Sequence, residues 1–146
     1  MDVYSFKDTV GGFNDPDVGN LAFAGQLGVG SFVVGMDTER TTMNTAADGT
    51  VVPSSIAGDS GHVTINVQQT SILHRFLTQW LNAKLAKQNV SDVTTWAGAT
   101  LSLRNVSTNS GHVLTGLCPV KQPDTTYEAQ VQLLQWVLRA ANVQNQ

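Results

Sequence analysis

Apolar side chains recur along the chain with two different periods. From His62 the sequence reads His-Val-Thr-Ile-Asn-Val-Gln, which places Val63, Ile65 and Val67 on one face and predicts a half-buried strand. The period changes at Ser71. Apolar residues at Ile72, Leu73, Phe76, Leu77, Trp80, Leu81 and Leu85 form a single wide stripe, as on an amphipathic helix. Ser71 is placed to cap it, since a serine hydroxyl accepts from an otherwise unpaired N–H of the first turn. Arg75, Gln79, Asn82 and Lys87 fall on the other side, and Lys84 and Lys87 suit the negative pole of the helix dipole. The expected core contribution of this helix is Ile72, Leu73, Phe76, Leu77, Trp80 and Leu81.

The remaining pattern is strands separated by turn signals. Tyr4 and Phe6 alternate as a short first strand, and Asn14-Asp15-Pro16-Asp17 reads as a turn with proline presetting φ. The Gly-rich stretch 10–35 suggests a surface segment that neighbours put in order. Phe32 to Asn44 reads as one strand or a strand pair, with Asp37 and Glu39 on one face at period two. Ala47-Asp48-Gly49 is a type I′ hairpin signal, and Val51-Val52 returns from it. The segment from Met43 to Ser60 holds few large apolar residues and is expected to project from the body. Leu101 to Asn105 and His112 to Val120 form a further hairpin around Asn109-Ser110-Gly111. Ser-Gly-His-Val occurs twice, at 60–63 and 110–113, each time where a turn feeds a strand. Tyr127 to Leu138 fits a strand whose apolar face switches at a bulge, or a helix through 127, 131, 134 and 138; the strand is favoured.

Composition agrees with a mainly β chain carrying one α-helix. Asp outnumbers Glu nine to two, and there are eighteen Val and sixteen Thr, a bias toward turns and pleated strands. A length of 146 residues fits one domain, 1–146, since domains run roughly 100–200 residues. At 41% hydrophobic and a net charge of −3, the chain is neither disordered by composition nor basic enough for a nucleic-acid surface. No apolar run is long enough to span a bilayer, and the start shows no signal peptide. Charge is divided unevenly: residues 1–60 hold eight acids and two bases, and residues 61–146 three acids and six bases. That division allows Asp37, Asp48 and Asp59 to face Arg75, Lys84, Lys87 and Arg104 of a neighbouring copy, or the charges to be scattered over solvent or paired within one subunit, or some acids to line a channel.

Catalytic chemistry is hard to find. His62, His74 and His112 have no metal-ligand spacing, although His62 and His112 would hold an ion if a sheet brought them together. Cys118, the single cysteine, precedes Pro119 in an apolar strand and reads as an inert thiol rather than a nucleophile. Gly25-Gln26-Leu27-Gly28-Val29-Gly30 lacks the Lys-Ser/Thr of a phosphate loop. No catalytic set, cofactor or metal is expected, and Trp80, Trp96 and Trp136 read as core or interface anchors.

One ordered series of motifs spans most of the chain. Ala47-Asp48-Gly49, Ser54-Ser55, Asp59-Ser60-Gly61-His62-Val63-Thr64-Ile65 and Gln69-Thr70-Ser71 are followed by Cys118-Pro119-Val120, Pro123-Asp124 and Trp136, with Tyr4-Ser5-Phe6 at the start. The series resembles the tail tube proteins of contractile-tailed bacteriophages and departs from them at Ala140 to Gln146. The resemblance implies a β-sandwich or barrel-like tail-tube fold with one flanking helix. It implies a virion protein, assembled in the host cytoplasm, whose subunits form stacked hexameric rings. Those rings make the inner tube through which DNA passes without specific binding. It further implies tail sheath, baseplate and tail terminator proteins as partners, and no membrane. A projecting loop contacting the adjacent ring maps here onto Met43, Ala47, Asp48, Gly49, Pro53, Ser55, Gly58 and Asp59. A tube of the type VI secretion kind, serving export, and a monomeric β-sandwich binding module are the alternatives.

Overall fold

Two glycines at equivalent points of the Ser-Gly-His-Val repeat show how closely the strands of this chain approach. In the computed structural model, which describes residues 3–24 and 29–145, Gly61 opens one strand and Gly111 sits at the start of another. A Cβ on Gly61 would collide with the carbonyl oxygen of Gly35, and one on Gly111 with that of Leu103. The repeat is therefore a shared solution to close strand entry.

The strands are β1 (Thr9–Asp15), β2 (Gly19–Ala24), β3 (Val29–Met36), β4 (Thr41–Thr45), β5 (Val51–Ser55), β6 (Gly61–Gln68), β7 (Ala99–Asn105), β8 (Ser110–Pro119) and β9 (Leu133–Asn145). The helix α1 is Ile72–Asn89. Seven strands form one antiparallel sheet in the order β2-β1-β7-β8-β9-β6-β3, and β4 and β5 pair separately. The sheet curls into a half-barrel. Its two edges, β2 and β3, meet through side chains: the rings of Phe23 and Phe32 stack with centroids 5.3 Å apart. Phe6 adds to this contact at 6.3 Å from Phe32.

The concave face is the core, and α1 fills it. Val63, Ile65 and Val67 of β6 are fully buried, as the alternation predicts, beside Trp136 and Leu138 of β9 and Leu101 of β7. Phe13 of β1 packs edge-on against Trp80 at 5.1 Å and Phe76 at 5.3 Å. Leu73, Leu77, Trp80 and Leu81 are buried, and Phe76 is partly buried against them. Ser71 caps the helix through its hydroxyl, which accepts from Leu73 N–H at 3.2 Å. Ile72 departs from expectation, since it is 53% exposed. It is the first helical residue, and the rotation that turns Leu73, Leu77 and Trp80 into the sheet turns Ile72 outward. Leu85 is exposed for the same reason, and Lys84 takes the inward position.

Lys84 is 1% exposed, and its ammonium lies 3.0 Å from Asp15 and 2.7 Å from Asp17. It also donates to the carbonyl of Thr95. The indole N–H of Trp80 donates to the same Asp15 oxygen that Lys84 approaches, Oδ2, at 2.9 Å. Lys87 bonds Asp17 at 2.5 Å, and Thr95 Oγ1 donates to Asp17 at 2.9 Å. The bonds from Lys84 and Lys87 hold the Asp17 carboxyl far below the usual carboxylate range, against the opposing effect of burial. The same pairing raises Lys87. The network ties the β1–β2 turn, the helix and the segment leading into β7.

At the other end of the helix, the Trp136 indole donates to His74 Nδ1 at 3.1 Å. An indole nitrogen is only a donor, so His74 is the neutral tautomer protonated on Nε2. Burial lowers its pKa, consistent with that state.

Several boundaries move. Phe6–Asp8 is a 3-10 turn closed by Asp8 N–H to Ser5 C=O, so the first strand begins at Thr9. Most of the Gly-rich stretch is β1, β2 and β3; the Gly25–Gly28 part of the phosphate-loop comparison lies outside the described residues. Residues 127–132 form no strand, and Tyr127 is 90% exposed. Their alternation lacks a partner, because β6 ends where Gln68 meets Leu133. The apparent phase change is a strand boundary, and β9 runs on to Asn145. The true face switch falls after Ala140, opposite Gly116, whose φ of +67 makes it the extra residue where β8 shifts register against β7.

Two outcomes are expected in chemical denaturation. Trp80→Ala removes the largest buried side chain and its bond to Asp15, at about 3–5 kcal/mol, whereas Gln79→Ala on the exposed face changes stability little; a Trp80→Ala loss below about 1 kcal/mol contradicts the packing. The second concerns acid. The native Asp17 carboxyl binds a proton less readily than the unfolded one, so its contribution is full at neutral pH and fades as pH falls below about 4. Asp17→Asn should be less stable at pH 7 and lose less on acidification than the parent chain. Parallel pH curves would assign the acid sensitivity to other carboxylates.

Candidate assembly surfaces

The hairpin β4–β5 stands apart from the sheet. Its register pairs Thr41 with Ser55, Met43 with Pro53 and Thr45 with Val51. All five side chains of β4 are exposed, and of β5 only Ser54 is half-buried. Met43 is 64% exposed and Val52 56%. A two-stranded hairpin alone is marginally stable in water. This one is held by its turn and its stalk. Ala46 N–H bonds Thr50 C=O at 2.8 Å and Gly49 N–H bonds Ala46 C=O at 3.0 Å. Asp48 accepts from Thr50 N–H at 3.0 Å, which lowers its pKa. Only Gly49, at φ +88, adopts the left-handed region in this turn. The turn is therefore the longer kind, a turn followed by a left-handed glycine, and not the two-residue type I′ turn that Asp48-Gly49 suggests, which needs positive φ at both residues.

The stalk is cross-braced. Arg40 and Asp59 join its two arms at 2.6 Å, and Gly58 packs against Thr38. Asp37 lies just after β3, not within a strand, and bonds His62 of β6 at 2.8 Å and approaches Arg139 of β9 at 3.5 Å. Asp59 C=O also accepts from Val143 N–H at 2.8 Å. The loop residues singled out from the sequence thus occupy three levels. Ala47, Asp48 and Gly49 form the tip, Met43, Pro53 and Ser55 the strands, and Gly58 and Asp59 the base.

These pairings rearrange the expected charge contacts. Asp37 and Asp59 are engaged within the subunit, Lys84 is buried, and Lys87 pairs with Asp17. Arg104 bonds Asn109 of its own turn. The acidic and basic halves of the chain therefore meet inside one subunit, because the sheet joins them twice: β1 beside β7, and β3 beside β6. Only one feature of the chain's pattern points to the Asp15–Asp17–Lys84 network. Lys84 sits seven residues after Leu77 and four after Trp80, on the inward stripe.

Chemistry beyond pairing is sparse. His62 faces Arg139 and His112 faces Asn145 on β9, six residues or roughly 20 Å apart, so the two do not meet. Among the described residues no three His, Cys, Asp or Glu gather as a metal site, and no helix is long and apolar enough to cross a membrane. Cys118 is half-buried, its thiol directed at Arg139 C=O, and burial pushes its pKa up.

Comparison with known proteins places this architecture. Similar solved structures include a chain of the sheath–tube complex of the PVC extracellular contractile injection system, at 11% identity and a TM-score of 0.63 over 100% of this chain and 92% of that one. A chain of the anti-feeding prophage cap matches at 11% identity and a TM-score of 0.60 over 100% and 91%. One from the PVC sheath/tube terminator matches at 11% and 0.59 over 100% and 97%. No curated protein matches by sequence. The family model of the bacteriophage PhiTE tail tube protein matches residues 1–146. This chain belongs to that family of phage tail tube proteins, and its role is structural rather than enzymatic.

Proposed function

We propose that this chain assembles into hexameric rings that stack head to tail as the inner tube of a contractile phage tail. The whole chain acts as a single tail-tube domain, and DNA passes through the lumen on its way into the host. The observation that carries this reading is a hairpin, Thr41–Ser55, that leaves the body on a braced stalk and spends none of its side chains on the core. In a monomer that arrangement is costly. Between rings it is a stacking contact, with Met43, Ala47, Asp48, Gly49, Pro53 and Ser55 reaching the next subunit and Gly58 and Asp59 at the base. Family membership supports the phage role over an export tube, since the injection-system structures are similar in fold alone.

Passage without sticking has an electrostatic basis. Phosphate binding needs free Lys and Arg, and of the eight here Lys84 is buried while Arg40, Lys87 and Arg139 approach Asp carboxylates. Sheath, terminator and baseplate proteins are the natural partners of such a tube, and the similar structures come from assemblies of those kinds. Assembly takes place in the host cytoplasm, and the product is part of the virion.

The test is a shortened hairpin, with residues 44–52 replaced by a tight turn. The circular dichroism and unfolding midpoint of the parent chain should be kept. Electron microscopy should show tubes for the parent and none for the variant. Long tubes from the shortened chain would remove the hairpin from stacking.

A further inference from the structure

A groove of about 550 Å³ lies where α1 ends and β7 begins, lined by Gln88, Val93, Thr94, Trp96, Ala97 and Gly98. We propose that this groove receives the β4–β5 hairpin of a second copy of the chain in the adjoining ring; the inference rests on the stacked-ring reading and names its receiving surface.

The groove carries no charged residue in its lining: Val93, Trp96, Ala97 and Gly98 make it mostly apolar, with Gln88 and Thr94 as polar members. Val93, in its lining, is 57% exposed, and Val90, at the end of the helix just before it, is 74% exposed. Thr95 is held by Lys84 at its carbonyl, and at its hydroxyl by Lys87 at 3.3 Å and Asp17 at 2.9 Å. Asp92 accepts from Thr94 N–H at 3.2 Å. The buried charge network thus fixes the loop that shapes the groove, and a fixed surface loses little entropy on docking.

The hairpin offers a matching face. Paired residues of antiparallel strands share a side, so Met43, Pro53 and Val51 lie on one face, and Val52 lies on the other with Asn44. Asp48, at the tip, is the one charged residue from Thr41 to Ser55. Docking the Met43 face therefore buries no strand charge. The hairpin is exposed along its length, with only Ser54 of its strands half-buried, so its Met43 face is free for a partner.

Topology puts the two surfaces at opposite rims. Antiparallel alternation from β1 to β3 places the end of β1, the start of β7 and the end of β6 on one rim. The end of β3 and the start of β6, from which the hairpin leaves, lie on the other. A copy stacked head to tail brings one rim to the other, and a joint between unlike surfaces repeats indefinitely.

Cross-linking tests the assignment, in a Cys118→Ser background that removes the native thiol. Val51→Cys and Val93→Cys chains are mixed, assembled and treated with a short bis-maleimide. Covalent dimers are expected from the mixture and from neither variant alone. Val52→Cys, on the opposite hairpin face, should give none with Val93→Cys. Val93→Glu should fold as the parent by circular dichroism and assemble at least about tenfold more weakly, because docking would bury its charge. No dimer from intact tubes, dimers from Val52→Cys instead, or normal tubes from Val93→Glu would overturn the proposal. The last result, with a hairpin still required for tubes, leaves stacking intact and gives the groove to another partner such as the sheath. Tubes from the shortened hairpin would instead sink the stacking reading itself.

Discussion

One helix has to cover the concave face of a seven-stranded sheet, and the ammonium of Lys84 decides where it lies. Apolar packing of α1 against the Leu, Val and Phe side chains of the sheet is close but non-directional. A buried charge cannot slide. Lys84 must keep Asp15 and Asp17 within bonding distance, and Asp15 must also accept from Trp80. Moving the helix by one turn would strand a cation in the core. The network therefore converts a non-directional contact into a fixed register, and everything downstream of Asn89 inherits that register, including the loop tied through Thr95.

Two economies follow from such a fold. The sheet is long but single, so most of its stabilisation comes from one concave face and one helix. The outer surface is rich in Ser, Thr, Asn and Gln, with exposed Val, Met, Leu and Tyr side chains among them. A surface of that kind loses little on being covered by a neighbour, because few charges must be desolvated. The charges of the helix network and the hairpin stalk act within the subunit.

The helix and the strand from Gly61 were plain from periodicity, because each buries one face against a large partner and so shows its period without interruption. The fold class followed from the same signals together with the abundance of Val and Thr. Residues at element ends were less legible. Ile72 belongs to the stripe by spacing yet faces solvent, since in the first turn the helix turns Leu73 rather than Ile72 toward the sheet. Tyr127 to Val131 alternates like a strand but has no edge left to join, and no local pattern reports on the availability of a partner. Ala140 to Asn145 carries a strand whose face switches at the Gly116 register shift, so its pattern looks irregular when read alone. The hairpin was visible as a projecting segment through its turn residues and lack of large apolar groups. Its braces were not, because Asp37, His62 and Arg139 are brought together only by the β3–β6–β9 order.

Those braces matter for what a stacking element must do. Exposed ion pairs contribute little to folding stability, and the Arg40–Asp59 pair, more than half exposed on both sides, is no exception. Their effect is on direction. A hairpin swinging freely on its stalk would search many orientations and lose that freedom on docking, at a cost set against every joint of the tube. With Arg40 and Asp59 joining the arms, and Asp37 anchored to β6 and β9, the hairpin leaves the sheet along one line. At the opposite rim the Lys84 network does the same for the groove. Both halves of the proposed joint are thus held in place by charges that take no part in the contact, and the contact itself is left to uncharged side chains. A repeating joint built in this way can be weak per interface and still well aimed.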